Sequence, residues 1–314
     1  MKRKNISIVV ILFALFSSCD RDGIFEKEQY KNIFALISDA DNVSRKTHTL
    51  GKESTGYIAA SLGGTNPTTK EIVINLVEDF TLIDQYNKIN FDVDASKYAQ
   101  PMPPDKYDID GFQFKIPAGE INGRLPIRIR PDGLSPDSIY FIPLRIESHT
   151  SYEANPRKSF VLYSVRIKNW WAIGDGSTSY TMRAKHRINK ASYELQVIGS
   201  KIMHPLSKNQ VRIMAGNETF ESEVSVFNRL ALILTILDDN KVVITPYRDV
   251  NMTQVNGDKD FPNTFRIEND GFKTYKTFLL RYNYVSGNNS YEVKEELRLE
   301  FDADAEAAEE EQNS

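Results

Sequence analysis

Cysteine occurs once in the 314 residues, at Cys19. A single thiol closes no internal disulfide, so no covalent staple helps this chain fold. Histidine occurs four times, at His48, His149, His186 and His204. None stands at ligand spacing from another, and no second cysteine is present to help, so neither a metal site nor a cofactor is expected. There is no glycine-rich phosphate loop, no Gly-x-Ser-x-Gly elbow and no His-Glu-x-x-His helix. An excess of basic charge is also missing. The net charge is −4 and the isoelectric point about 5.7, which argues against nucleic acid as a partner, because phosphate binding needs a basic face. The longest apolar stretch, from Ile6 to Phe16, is shorter than the roughly 20 residues that cross a bilayer. No repeat of 20–50 residues is visible.

The same stretch has a different use. Lys2, Arg3 and Lys4 precede it and the small residues Ser17 and Ser18 follow it. This is the charged head, short apolar core and small-residue cleavage site of a signal peptide. Leu15-Phe16-Ser17-Ser18-Cys19 resembles a bacterial lipobox, with Phe16 standing where a branched aliphatic is usual. The resemblance implies cleavage before Cys19, lipidation of its thiol and acylation of the new amino terminus. Several acyl chains on one residue meet the requirement for stable anchoring. Asp20 and Asp22 follow. In Bacteroidetes lipoproteins such residues resemble an address for the outer face of the outer membrane, and in proteobacteria a retention signal for the inner membrane.

Beyond a short lead over residues 19–30, the apolar period is two rather than 3.6. Strands are expected over residues 32–37, 55–62, 71–77, 112–117, 123–129, 140–146 and 160–167, each bounded by turn residues. Seven such strands in residues 31–169 read as an antiparallel sandwich of the immunoglobulin kind. One helical turn is expected from Phe80 to Tyr86. A boundary falls at Asn169-Trp170-Trp171-Ala172. Residues 170–301 alternate again, with strands over 179–188, 192–198, 211–214, 230–237, 242–245, 274–284 and 291–301. Hairpin turns are expected at Leu237–Val242 and Ser286–Asn289, and long meandering hairpins suggest a β-barrel or curved sheet. Residues 302–314 form an acidic tail with no apolar period, expected to be disordered and solvated.

Phe114-Lys115-Ile116-Pro117-Ala118-Gly119-Glu120, then Leu125–Ile129, then the run from Leu134 to Ser148 resemble a Bacteroidetes domain of unknown function found in surface lipoproteins of glycan-utilisation loci. Ile142 replaces its usual leucine, and one extra residue precedes Tyr140. That resemblance implies an immunoglobulin-like fold. Residues 239–247, 274–284 and 291–297 resemble the lipocalin-like C-terminal domains that accompany it. The motifs specify turns and strand cores, not chemistry. By association, the resemblance implies a polysaccharide or oligosaccharide ligand, an outer-membrane importer and its partner lipoprotein as neighbours, and the outer leaflet as the address.

The candidate binding residues are aromatic. Trp170 and Trp171 are the only tryptophans, and they are adjacent at the expected junction. A flat indole stacks on the apolar face of a sugar, and ligand clefts favour domain junctions; the plain alternative is that they pack the two domains together. Tyr247, Tyr282 and Tyr284 rank second, and the last two share one strand face that also suits a core. Asp105, Asp108 and Asp110 lie on one loop that could hold calcium or be simply solvated. Glu295-Glu296 and Asp238-Asp239 are adjacent pairs, and adjacent strand residues face opposite ways. The expectation is a non-catalytic glycan-binding lipoprotein. The alternatives are a structural or adhesion protein that binds an outer-membrane protein, and a hydrolase with two suitably spaced carboxylates.

Overall fold

The computed structural model describes residues 32–64, 67–221 and 223–306. The expected signal peptide, Cys19, the lead and the tail beyond residue 306 lie outside the described residues. Two β domains follow one another. Among the described residues no helix is long and apolar enough to cross a membrane.

The first domain comprises β1 (Ile33–Leu36), β2 (Val43–Thr49), β3 (Ser54–Gly63), β4 (Ile72–Glu78), α1 (Thr81–Asn90), β5 (Gln100–Pro101), β6 (Tyr107–Asp108), β7 (Gln113–Ile116), β8 (Asn122–Ile129), β9 (Tyr140–His149), β10 (Glu153–Ala154) and β11 (Phe160–Lys168). One sheet has the order β10-β1-β3-β8-β6; the other is β2-β11-β9-β4-β7, with β5 beside β9. Alternate residues point inward, as the period of two requires. Phe34, Leu36, Ile58, Ala60, Ile72, Ile74, Leu125 and Ile127 fill the space between the sheets.

The sandwich is not wholly antiparallel as expected. β2 runs parallel to β11, from Val43 opposite Leu162 to Thr49 opposite Lys168, and β1 runs parallel to β10. β2 escapes the periodicity because Val-Ser-Arg-Lys-Thr-His-Thr is an edge strand that buries only Val43 and His48. The helix is also longer than one turn, covering ten residues. It covers the outer face of the second sheet, where Leu82 and Ile83 pack on Val43, Phe141 and Leu162. Residues 161–165 of β11 are therefore buried on both faces, and their apolar run is nearly continuous.

The second domain comprises β12 (Ser179–Ile188), β13 (Leu195–Ile202), β14 (His204–Ser207), β15 (Gln210–Met214), α2 (Val224–Leu230), β16 (Ala231–Ile236), β17 (Val242–Pro246), β18 (Met252–Gln254), β19 (Thr264–Asn269), β20 (Thr274–Ser286) and β21 (Asn289–Phe301). Two sheets, β13-β12-β21-β20-β18 with β19 beside β20, and β14-β15-β16-β17, curl as half-barrels around one core. Tyr180, Met182, Phe278, Leu280 and Leu297 come from the first, and Val211, Ile213, Leu232, Leu234 and Ile244 from the second. Both expected hairpins form. Asn240 and Gly287 adopt the positive φ that their tight turns demand. β14, β18 and β19 were not legible in the sequence because they are short or polar.

The start of the acidic tail differs from a solvated coil. The Asp302 carboxylate accepts the backbone N–H groups of Asp304 and Ala305, and its carbonyl accepts that of Glu306. One helical turn follows β21, because an aspartate here satisfies orphan donors as an N-cap does.

Candidate functional site

The junction is built around polar side chains that are hydrogen-bonded across it. Buried Asn169 donates through Nδ2 to the carbonyls of Ser207 (2.8 Å) and Gln210 (2.9 Å). Its Oδ1 accepts the backbone N–H groups of Trp171 and Ala172. Across the interface, Arg212 of β15 is 1% exposed and donates both terminal nitrogens to Asp137 of the first domain, at 2.7 and 2.5 Å. Its guanidinium also lies 4.7 Å from the Phe227 ring centroid and 5.1 Å from that of Tyr247, within cation–π range. Burial opposes its charge, but the Asp137 contacts outweigh burial and keep its pKa raised.

Beside this lock lies a cleft of about 850 Å³ between the domains. The first domain contributes Arg45 of β2, Tyr86 and Phe91 at the end of α1, the segment 135–141 and residues 164–167 of β11; the second contributes the turn 174–176, His204, Phe220 and the start of α2. Tyr86, Phe91, Tyr140 and Phe220 are half-buried, so each keeps part of a ring in contact with solvent. Most of the charges are paired, although Glu223 at the start of α2 meets only the Ser225 hydroxyl among the described residues. Arg45 pairs with Asp39 and Asp41, Arg166 with Asp175 at 3.3 Å, and Lys97 with Asp94 at 3.0 Å. His204 is 5% exposed, and neither ring nitrogen has a hydrogen-bond partner among the described residues. Its ring centroid is 4.6 Å from that of Phe220. Burial first, then the Arg212 charge, holds its pKa down to about 4. At neutral pH it is therefore an uncharged imidazole, with one donor and one acceptor that are both buried.

The five aromatic candidates lie elsewhere. Trp170 and Trp171 do not line the cleft. They meet edge to face at 5.6 Å and pack in the same manner on Phe265, at 5.4 and 5.8 Å, with Phe301 5.9 Å from Trp170. They close the second domain rather than join it to the first, and Trp170 keeps 36% of its surface exposed. Tyr282 and Tyr284 are core residues because their face of β20 points inward. The Tyr282 hydroxyl donates to Glu295 at 2.9 Å and accepts the Gly216 N–H at 2.7 Å. Tyr284 stacks on Tyr291 at 4.7 Å. Neither offers a ring to a surface ligand. Tyr247 is half-buried and touches the junction through Arg212.

The carboxylates are engaged as well. Asp108 pairs with Arg130 at 2.6 Å and Asp110 with Arg128 at 3.1 Å, while Asp105 lies 3.7 Å from Lys106. Among the described residues no group of three or more His, Cys, Asp or Glu could hold a metal ion. Glu295 is bound to Lys201 in the core at 2.5 Å. The cleft residues Tyr86, Phe91, Tyr140, His204 and Phe220 were not singled out from the sequence. They come from separate segments, and no local pattern joins them.

Fold and cleft together define a two-domain all-β protein with an aromatic-walled junction. A family profile described as an N-terminal domain matches residues 25–153, and one described as a C-terminal domain matches residues 159–298. The second range begins before β11, although β11 pairs with β2 and β9 of the first domain. No curated protein matches the chain. A Bacteroides ovatus protein of unknown function shares the fold at 15% identity with a TM-score of 0.63, over 85% of this chain and 94% of that one. A second from the same species does so at 14% identity and 0.62, over 91% and 95%. An auxiliary nutrient binding protein from Bacteroides thetaiotaomicron aligns at 16% identity and 0.59, over 84% and 94%. The chain carries both domains in that order and shares its overall fold with these Bacteroides proteins.

Proposed function

We propose that this chain is a non-catalytic, surface-exposed outer-membrane lipoprotein that binds glycans in its inter-domain cleft as part of a polysaccharide-utilisation system. The observation that carries this reading is the cleft itself. It combines partly exposed aromatic rings, which stack on sugar faces, with mostly paired charges that suit neutral hydroxyls. The acidic side chains Asp137 and Asp175 are committed to Arg212 and Arg166, which leaves Glu223 as the one lining carboxylate without a cation among the described residues; a lone free carboxylate favours binding over hydrolysis by a carboxylate pair. The nutrient-binding protein of shared fold is consistent with this role. The finer fold assignments belong to the same reading. β1 pairs with β3 while β2 crosses to β11, which favours an immunoglobulin-like sandwich. The curled meander of the second domain favours a lipocalin-like one. Lipidation at Cys19 and an importer partner complete the proposal.

The test uses the chain from Asp20 onward against a polysaccharide panel, by retarded gel electrophoresis and calorimetry. Phe220→Ala and Tyr86→Ala should each weaken binding about tenfold, the equivalent of ~1.4 kcal/mol, while Trp170→Ala leaves the binding of neutral polysaccharides unchanged. If no glycan binds, or the tryptophan variant is the one that fails, the cleft reading is wrong. Incorporation of labelled palmitate into the full chain but not into its Cys19→Ser variant tests the anchor.

A second reading, an adhesion or structural lipoprotein that binds another outer-membrane protein, is favoured by one feature. Phe272 at the tip of the β19–β20 hairpin is 96% exposed, an unusual place for a large apolar ring. Co-purification of a membrane protein that Phe272→Ser abolishes would support it over the first.

A further inference from the structure

Lys276 stands on the inward face of β20, in line with Phe278, Leu280 and Tyr282, and is 3% exposed. A buried ammonium needs a counter-ion and a full set of acceptors, or its desolvation cost goes unmet. Here the backbone carbonyl of Trp170 accepts from Nζ at 2.6 Å, and Glu306 Oε1 accepts at 2.6 Å. The amine also lies 4.3 Å from the Trp170 ring centroid and 4.8 Å from that of Phe301, in cation–π range of both.

The carboxylate in this site comes from outside the barrel. It is held by the single helical turn after β21, on a side chain that remains 36% exposed. Its second oxygen is buried and has no hydrogen-bond partner among the described residues, and the same holds for the indole N–H of neighbouring Trp171. The fit of Glu306 therefore leaves hydrogen-bonding capacity unused. The fixed part of the site (ammonium, two tryptophans, Phe301) belongs to the barrel; the carboxylate belongs to an appended acidic segment.

We propose that Lys276, Trp170, Trp171 and Phe301 form a carboxylate-binding site, distinct from the cleft, which the chain's own Glu306 fills in this structure and which a uronic-acid saccharide occupies by displacing it. The choice of a saccharide rests on the glycan-binding reading above. The choice of a carboxylate rests on the group already seated there. Lys276 supplies the charge and the exposed part of Trp170 a surface for the sugar ring. The acidic tail then acts as an internal competitor, and tail neutralisation is equivalent to removing a competing ligand.

The only two tryptophans of the chain sit in this site, so intrinsic fluorescence reads it directly. The experiment titrates oligogalacturonate, and neutral galactose oligomers of the same length, into the chain from Asp20 onward. It compares wild type with the full-length variant Glu306→Gln/Glu309→Gln/Glu310→Gln/Glu311→Gln. The neutralised variant should bind oligogalacturonate about tenfold more tightly than wild type, with no such gain for the neutral oligomer. Adding Lys276→Met should abolish the response, and Lys276→Arg should retain it with an unchanged melting temperature. Equal affinity in wild type and the neutralised variant, the absence of any oligogalacturonate response in both, or an equal gain for the neutral oligomer overturns the proposal. Phe220→Ala, in the cleft, should leave the fluorescence response intact, so failure of the cleft reading and failure of this site give different results.

Discussion

Three of the four histidines are buried as neutral rings. His48 lies between Ser54 Oγ at 2.7 Å and the Tyr163 hydroxyl at 3.0 Å, His186 is on the buried face of β12, and His204 borders the cleft. Burial, aided by Lys46, Lys201 and Arg212 respectively, holds each pKa at about 4 rather than 6.5. The folded state thus binds fewer protons than the unfolded state between those values. Stability from these rings is complete above pH 6.5 and is lost as pH falls through 4. Unfolding in urea should lose up to about 3 kcal/mol per histidine across that window, and a midpoint that stays flat from pH 7 to 4.5 would contradict the assignment. A second residue-scale prediction concerns Lys201 and Glu295, both buried, with Tyr282 on the other carboxylate oxygen. Glu295→Ala alone should cost about 3–5 kcal/mol, because it strands an ammonium, whereas Lys201→Met with Glu295→Leu should recover most of that loss. A double-mutant cycle by chemical denaturation separates the two outcomes. Nothing in the sequence marked this pair: Glu295 reads as one of two adjacent glutamates, and its partner lies 94 residues away.

At the scale of elements, α1 shows how far local pattern reaches. Its start was legible from Phe80, but its length was not, because Asn87 looks like an ordinary polar residue and is in fact buried. Its side chain donates to the Ala99 carbonyl at 2.9 Å and accepts the Ala99 N–H at 2.7 Å, tying the helix to the strand region behind it. Asn87→Ala should cost about 1–3 kcal/mol. It should also weaken the proposed glycan binding, because Tyr86 and Phe91 flank it on the cleft wall. Thermal melts and calorimetry on one preparation check both effects, and an unchanged affinity despite a lower melting temperature would detach the helix from the site. The hairpins at Asn240 and Gly287 were legible because a turn is a matter of a few consecutive residues. β2 was not, because its pairing with β11 exists only once residues more than a hundred positions apart have met.

For the whole molecule, the decisive contact is Asp137 with Arg212, 75 residues apart. It joins the domains at the edge of the cleft. Asp137→Ala leaves an arginine buried without its partner and should cost about 3–5 kcal/mol. It should also split a single calorimetric unfolding transition into two, because the domains no longer unfold as one unit. One transition at an unchanged temperature would show that the lock is dispensable. The sequence by itself determined the β class, the strand faces and two of the turns. These follow from alternation and turn chemistry within windows of about ten residues. Only the tertiary structure decided which aromatic rings reach a cleft, that Tyr282 and Tyr284 are core, that Trp170 lies over Lys276, 106 residues away, and that Arg212 finds Asp137. The physical reason is that each of these depends on a contact between distant segments, and local periodicity fixes the face a side chain takes but not what it meets there.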